Sequence, residues 1–111
     1  MRDDGKIDYV EFTAGDLPAV KAFYAAAFNW TFTDYGSEYA AMTEGLDGGF
    51  SATSPASAKP LVILYAADLE AAEARIRSAG GTITRPIYSF PGGRRFYFTD
   101  PSGNELAVWS E

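Results

Sequence analysis

Leu61-Val62-Ile63-Leu64-Tyr65-Ala66-Ala67-Asp68-Leu69-Glu70-Ala71-Ala72-Glu73-Ala74-Arg75-Ile76-Arg77-Ser78-Ala79-Gly80-Gly81 is a strand, a cap, a helix and a stop in twenty-one residues. Leu61 to Ala66 is β-like. Asp68 is a helix N-cap, a residue type whose side-chain oxygen satisfies a free backbone N–H of the first turn. Leu69, Ala72, Ile76 and Ala79 recur at helical spacing, and Gly80-Gly81 ends the stripe. The pattern occurs earlier as well: Ile7 to Thr13 is strand-like, and Asp16-Leu17-Pro18 opens a helix with Val20, Phe23, Tyr24, Ala27 and Phe28 on one face. Asp68 follows Asp16 by 52 residues, each closing a strand and opening a helix, so the chain contains a duplicated unit.

Outward from these two anchors, the first half continues with strand patterns at Trp30 to Tyr35, Tyr39 to Thr43 and Gly48 to Thr53, and the second with Gly81 to Tyr88, Arg94 to Thr99 and Asn104 to Trp109. The expected fold is α+β: two tandem βαβββ units in one domain over 1–111, unit one at about 7–54 and unit two at about 61–109. Ser54-Pro55-Ala56-Ser57-Ala58-Lys59-Pro60 is suited to a linker between them. Helices covering one sheet face leave the other to curl into a cup.

Composition narrows the partners. A net charge of −6 disfavours a phosphate backbone, so no nucleic acid is expected. With no cysteine there is neither a disulfide framework nor a thiolate site, and with no histidine the common serine and cysteine triads are absent. No apolar run near Met1 is long enough for a leader or a span, so the expectation is a cytoplasmic protein with no membrane partner.

The hairpin Phe96-Tyr97-Phe98-Thr99-Asp100-Pro101-Ser102-Gly103-Asn104-Glu105-Leu106-Ala107-Val108-Trp109, the two Asp-Leu helix starts and Ala22-Phe23-Tyr24 in the first helix resemble the vicinal oxygen chelate families, which include glyoxalase I, bleomycin-resistance proteins and extradiol dioxygenases. That resemblance implies the βαβββ cup, a small organic molecule inside it and a homodimer, side by side or swapped through the linker. It also implies a metal ligand at Glu105, with histidines at positions that here hold Tyr9 and Leu61 and a further ligand near Phe50 or Ser51. Those positions keep one strong donor. The expected cofactor is therefore none and the metal site degenerate. The alternative is a divalent metal such as Mg, Mn, Ni, Zn or Fe on Glu105 with Glu11, making the protein a lyase, isomerase or dioxygenase.

Strand alternation puts Tyr9 and Glu11 opposite Val10 and Phe12, and Glu105, Ala107 and Trp109 opposite Leu106 and Val108. The first set of each strand is expected to face the cup. Glu105 and Tyr9 are the candidate catalytic pair, a carboxylate needing Tyr9, Tyr97 or Arg95 as its partner if it is buried. Candidate ligand contacts are Tyr9, Glu11, Trp30, Tyr39 and Phe50 from the first unit. The second contributes Leu61, Ile63, Tyr65, Arg95, Tyr97 and Trp109, aromatic rings that could stack a planar ligand. Arg85, Arg94 and Arg95 flank the Pro91-Gly92-Gly93 turn and could collect an acidic ligand.

Overall fold

The computed structural model describes residues 2–53 and 58–111. Elements follow the order β1 (Ile7–Thr13), α1 (Leu17–Phe28), β2 (Thr33–Asp34), β3 (Tyr39–Met42), β4 (Gly48–Ser51), β5 (Leu61–Tyr65), α2 (Leu69–Ala79), β6 (Thr82–Phe90), β7 (Gly93–Thr99) and β8 (Glu105–Ser110). The chain is α+β and divides into two compact units, Tyr9–Pro60 and Met1–Asp8 with Leu61–Glu111. The start of β1 thus groups with the second half. Gly5 donates its N–H to the Tyr65 carbonyl at 2.8 Å, and the Ala67 N–H donates to the Asp4 carboxylate at 2.9 Å. Residues 54–57 of the expected linker lie outside the described residues.

The Tyr9–Pro60 unit carries strands in the order β2-β3-β4-β1, with β1 and β4 parallel and the other pairs antiparallel. In the other unit the order is β6-β7-β8-β5, with β5 and β8 parallel and the rest antiparallel. The topology is the same twice. Both helices start as expected: Asp16 accepts the Ala19 N–H at 3.1 Å and Asp68 the Ala71 N–H at 3.0 Å. They end at left-handed residues, Asn29 and Gly80.

Each unit has its own core, on the helix-covered sheet face. One gathers Ala14, Leu17, Ala40, Met42 and Phe50 with Phe12, Tyr24, Trp30 and Phe32; the other gathers Ala66, Leu69, Ala72, Phe96, Phe98 and Val108. Two expectations need correction. The strand at Trp30 to Tyr35 shrinks to Thr33–Asp34, because Trp30 turns inward to stack on Tyr24 at 4.6 Å. In α1, Val20 and Tyr24 pack on the core while Phe23 and Phe28 are exposed.

The β7–β8 turn is held by Asp100, whose carboxylate accepts the backbone N–H groups of Ser102 at 2.8 Å and Asn104 at 3.0 Å and the Asn104 side-chain amide at 2.8 Å. The Asn104 side-chain bond, then these backbone bonds, hold its carboxyl below the ordinary aspartate value. A pKa depressed by folding contributes stability above the unfolded value that is lost as pH falls through the folded one. The urea midpoint of the protein should therefore drop on acidification below about pH 4, and drop less steeply in Asp100→Asn. Parallel pH profiles for the two proteins would count against this role.

Candidate functional site

The strand faces turned away from the helices carry the polar and aromatic groups. In the Tyr9–Pro60 unit, Glu11 lies opposite Gly49 in the parallel β1–β4 pair, and Gly49 opposite Ala41 in β3. Alternation then brings Tyr9, Glu11, Gly49 and Tyr39 onto one face. Glu11 is only 7% exposed. Its Oε1 accepts the Tyr39 hydroxyl at 3.0 Å, and the Tyr39 oxygen is 2.7 Å from that of Tyr9. With Tyr39 donating to the carboxylate, Tyr9 must donate to Tyr39, which fixes the direction of the chain.

Gly49 makes this packing possible, since a Cβ there would overlap both tyrosine hydroxyls. Burial, the nearby Glu11 carboxylate and the Tyr9 hydrogen bond push the Tyr39 hydroxyl far above the ordinary tyrosine range. Burial also raises Tyr9, against the lowering by its bond to Tyr39. Both phenols stay protonated.

Trp30 and Phe50 do not join them. Phe50 is 2% exposed and packs 5.1 Å from Phe12 on the helix side, as Trp30 does against Tyr24, so their expected place beside Tyr9 is corrected. Phe50 follows Gly49 by one residue, and one step along a strand reverses the face.

In the unit containing Leu61–Glu111, Ile63 lies opposite Ala107 and Tyr65 opposite Trp109, while β7 sets Tyr97 beside Ala107 and Arg95 beside Trp109. Leu61 begins β5 two residues before Ile63, on the same face. The Tyr65 and Trp109 rings meet edge-on at 5.7 Å. Arg95 donates through Nε to the Tyr88 hydroxyl at 2.6 Å and through Nη2 to the Tyr97 hydroxyl at 2.8 Å. Arg85 stacks its guanidinium 3.8 Å from the centre of the Tyr88 ring.

Tyr88 was not legible as a site residue. Register shifts on either side of Arg85, next to Pro86, break the period-2 rule and put Arg85 and Tyr88, three residues apart, side by side. A proline inside a strand pattern was the available signal. Arg94 separates from its neighbours, pairing with Glu70 at 2.8 Å on α2.

Glu105 is exposed, and its Oε2 accepts the Thr84 hydroxyl at 2.9 Å. The expected partners Tyr97 and Arg95 bond to each other instead.

The residues at the family's ligand positions do not suit a metal. Leu61 offers only methyl groups, Phe50 is in the core, the Ser51 hydroxyl bonds Thr53 at 3.0 Å, and Tyr9 is held neutral by burial, a poor donor for a divalent ion. The alternative donor Glu11 is bonded to Tyr39. Among the described residues no three His, Cys, Asp or Glu side chains are grouped so as to hold a metal ion.

The sequence pattern of the Glyoxalase/Bleomycin resistance protein/Dioxygenase superfamily matches residues 6–108. The chain belongs to this superfamily. A protein provisionally named glyoxylase CFP32, from Mycobacterium tuberculosis and Mycobacterium bovis, is 27% identical over 120 residues, covering 95% of this chain. This superfamily member spans only 45% of CFP32. A glyoxalase/bleomycin resistance protein/dioxygenase superfamily member from Vibrio splendidus 12B01 shares the fold at a TM-score of 0.73 and 14% identity, over 96% of this chain and 98% of that one. Methylmalonyl-CoA epimerase from Streptomyces coelicolor, in complex with 2-nitronate-propionyl-CoA, does so at 0.66 and 16%, over 98% and 96%. Among the described residues no helix is long and apolar enough to cross a membrane.

Proposed function

We propose that this superfamily member binds a small organic molecule against its helix-free strand faces, without the metal centre its relatives' ligand positions would build. The face of the Leu61–Glu111 unit carries the proposal: Tyr65, Trp109, Tyr88 and Tyr97 offer flat apolar area, and the guanidinium of Arg85 has no ion-pair partner among the described residues. Aromatic rings beside a cation suit a planar ligand with an acidic group. We propose that the protein acts as a cytoplasmic homodimer, the dimer being what the resemblance implies.

Phenylacetate is a suitable probe, since the chain has two tryptophans, one on this face and one in a core. It should quench the fluorescence of Trp109 saturably, a response lost in Trp109→Phe and kept in Trp30→Phe. Quenching that survives Trp109→Phe would move the site elsewhere. Protein purified without chelator should carry well under one metal ion per chain; a stoichiometric transition metal would overturn the metal-free part.

A further inference from the structure

α1 and α2 hold the same place in the duplicated topology, yet they meet water differently. The 52-residue spacing of Asp16 and Asp68 puts Phe23, Ala25 and Ala26 of α1 at the positions of Arg75, Arg77 and Ser78 in α2, and all six are exposed. The outer face of α2 is charged and solvated. On α1, Ala19 and Ala22 extend the same apolar strip, and Phe23 is 59% exposed. Lys21, the charged residue of this helix, is turned aside to Asp34, with Nζ 2.6 Å from its carboxylate. A helix that is apolar on its outer as well as its inner face is ordinarily a covered one, and an exposed apolar patch marks a contact surface.

Beside Phe23, helix and sheet leave a hollow of about 400 Å3, lined by Phe12, Val20, Tyr24 and Phe50. It has room for a phenyl ring, since a cavity of about 150 Å3 already holds benzene. Among the described lining residues Asp16 alone is charged, and its carboxylate caps the Ala19 N–H.

We propose that this strip and hollow are where a second copy of the chain docks, α1 against α1 across a two-fold axis. The proposal deepens the homodimer reading above and rests on it. Two features select a second copy over another partner. A projecting ring beside a hollow makes a patch complementary to itself, so a two-fold axis next to Phe23 carries each Phe23 into the other copy's hollow. The chain also has a net charge of −6, so two copies repel unless the surfaces that meet are free of acidic groups. The strip of Ala19, Ala22, Phe23 and Ala26 is such a surface, and its alanines let two helix axes approach to about 8 Å, the near end of ordinary helix packing.

The test is light scattering on the full chain. The wild type should show twice the chain mass at micromolar concentration. Phe23→Arg gives α1 the residue that α2 carries at this position. It should weaken association about 100-fold or more, because a central aromatic is lost and a charge buried twice per dimer. Arg75→Ala, a change at the matching position of α2, should leave the mass unchanged. Both sites are exposed, and far-UV circular dichroism confirms that each variant is folded. A second readout needs no disruptive change: Ala26→Cys adds one thiol to a chain without cysteine, and a short bismaleimide should link it into covalent dimers. The same reagent should not link Ser78→Cys, the counterpart on α2. A wild-type dimer that survives Phe23→Arg, or that links through Ser78→Cys instead of Ala26→Cys, overturns the α1 interface and leaves the homodimer. A wild type of one chain mass even at about 100 μM, a hundred times a micromolar Kd, overturns both. Phenylacetate binding is read separately, by Trp109 fluorescence, and depends on neither result.

Discussion

Phe96→Ala is expected to destabilise the protein by about 3–5 kcal/mol, the usual range for deleting a fully buried phenylalanine. Phe96 is 0% exposed, lies opposite Val108 across the β7–β8 pair and packs with Leu69, Ala72 and Phe98. Its ring holds α2 against the sheet, so truncation leaves a cavity that cannot collapse without shifting the helix or the strand pair. Small domains have about 5–15 kcal/mol in all, and a loss of this size removes a large part of it. Urea denaturation measures it directly. Phe28→Ala is the control: Phe28 is 63% exposed, and its loss should cost under about 1 kcal/mol. Equal costs for the two would show that the core is not where the packing places it.

The residues that define the fold were legible because they act locally. Asp16 and Asp68 cap helices three residues away, and Asp100 ties a turn two and four residues away. Such contacts lie within one window of sequence, and repeating them in both halves revealed the duplicated topology. Alternation also grouped Tyr9 with Glu11, since neighbours on one strand need no knowledge of the rest of the chain.

Contacts that depend on distant partners were harder to see. Trp30 has the composition of a strand residue, but its place is set by Tyr24 on α1. Arg94 and Arg95 are adjacent in sequence and look like one basic patch, yet the pleat sends Arg94 to Glu70 and Arg95 to Tyr88. Tyr88 reaches Arg95 only because the strand is irregular beside Pro86, a shift whose size no period reveals. Glu105 looked like the centre of any chemistry through the resemblance of its hairpin. Its exposure, and its bond to Thr84, follow from sitting at the first residue of β8, where the strand emerges from the Asp100 turn. Among the described residues the buried carboxylate is Glu11 instead, at the middle of β1.

Gly93→Ala should cost about 3 kcal/mol, the upper end of what an extra methyl costs in a packed region. Gly93 opens β7 directly after the Pro91-Gly92 turn, with Phe90 opposite it in β6, at a φ of 157°. A Cβ there would run into the backbone carbonyl oxygen of Ser110, with the Ser110 carbonyl carbon 3.0 Å away and the Glu111 Cα at 3.1 Å. Those are main-chain atoms of the neighbouring strand, where Arg94 pairs with Ser110, so no rotamer change relieves the overlap. Either the first residues of β7 leave the sheet or the end of β8 does. Gly103→Ala separates this overlap from strain of the backbone alone: Gly103 has a φ of 85° but nothing within 4 Å of the added atom. Its left-handed conformation should cost alanine about 1–2 kcal/mol. Displacing β7 also moves Arg95, two residues on, and Trp109, its partner across the strand pair. Gly93→Ala should accordingly weaken phenylacetate binding under conditions where Gly103→Ala, still folded, binds as the wild type does. Urea midpoints and fluorescence titration on the same two samples decide it: a Gly93→Ala protein as stable as Gly103→Ala would mean that the β7–β8 edge yields where the backbone contacts say it cannot.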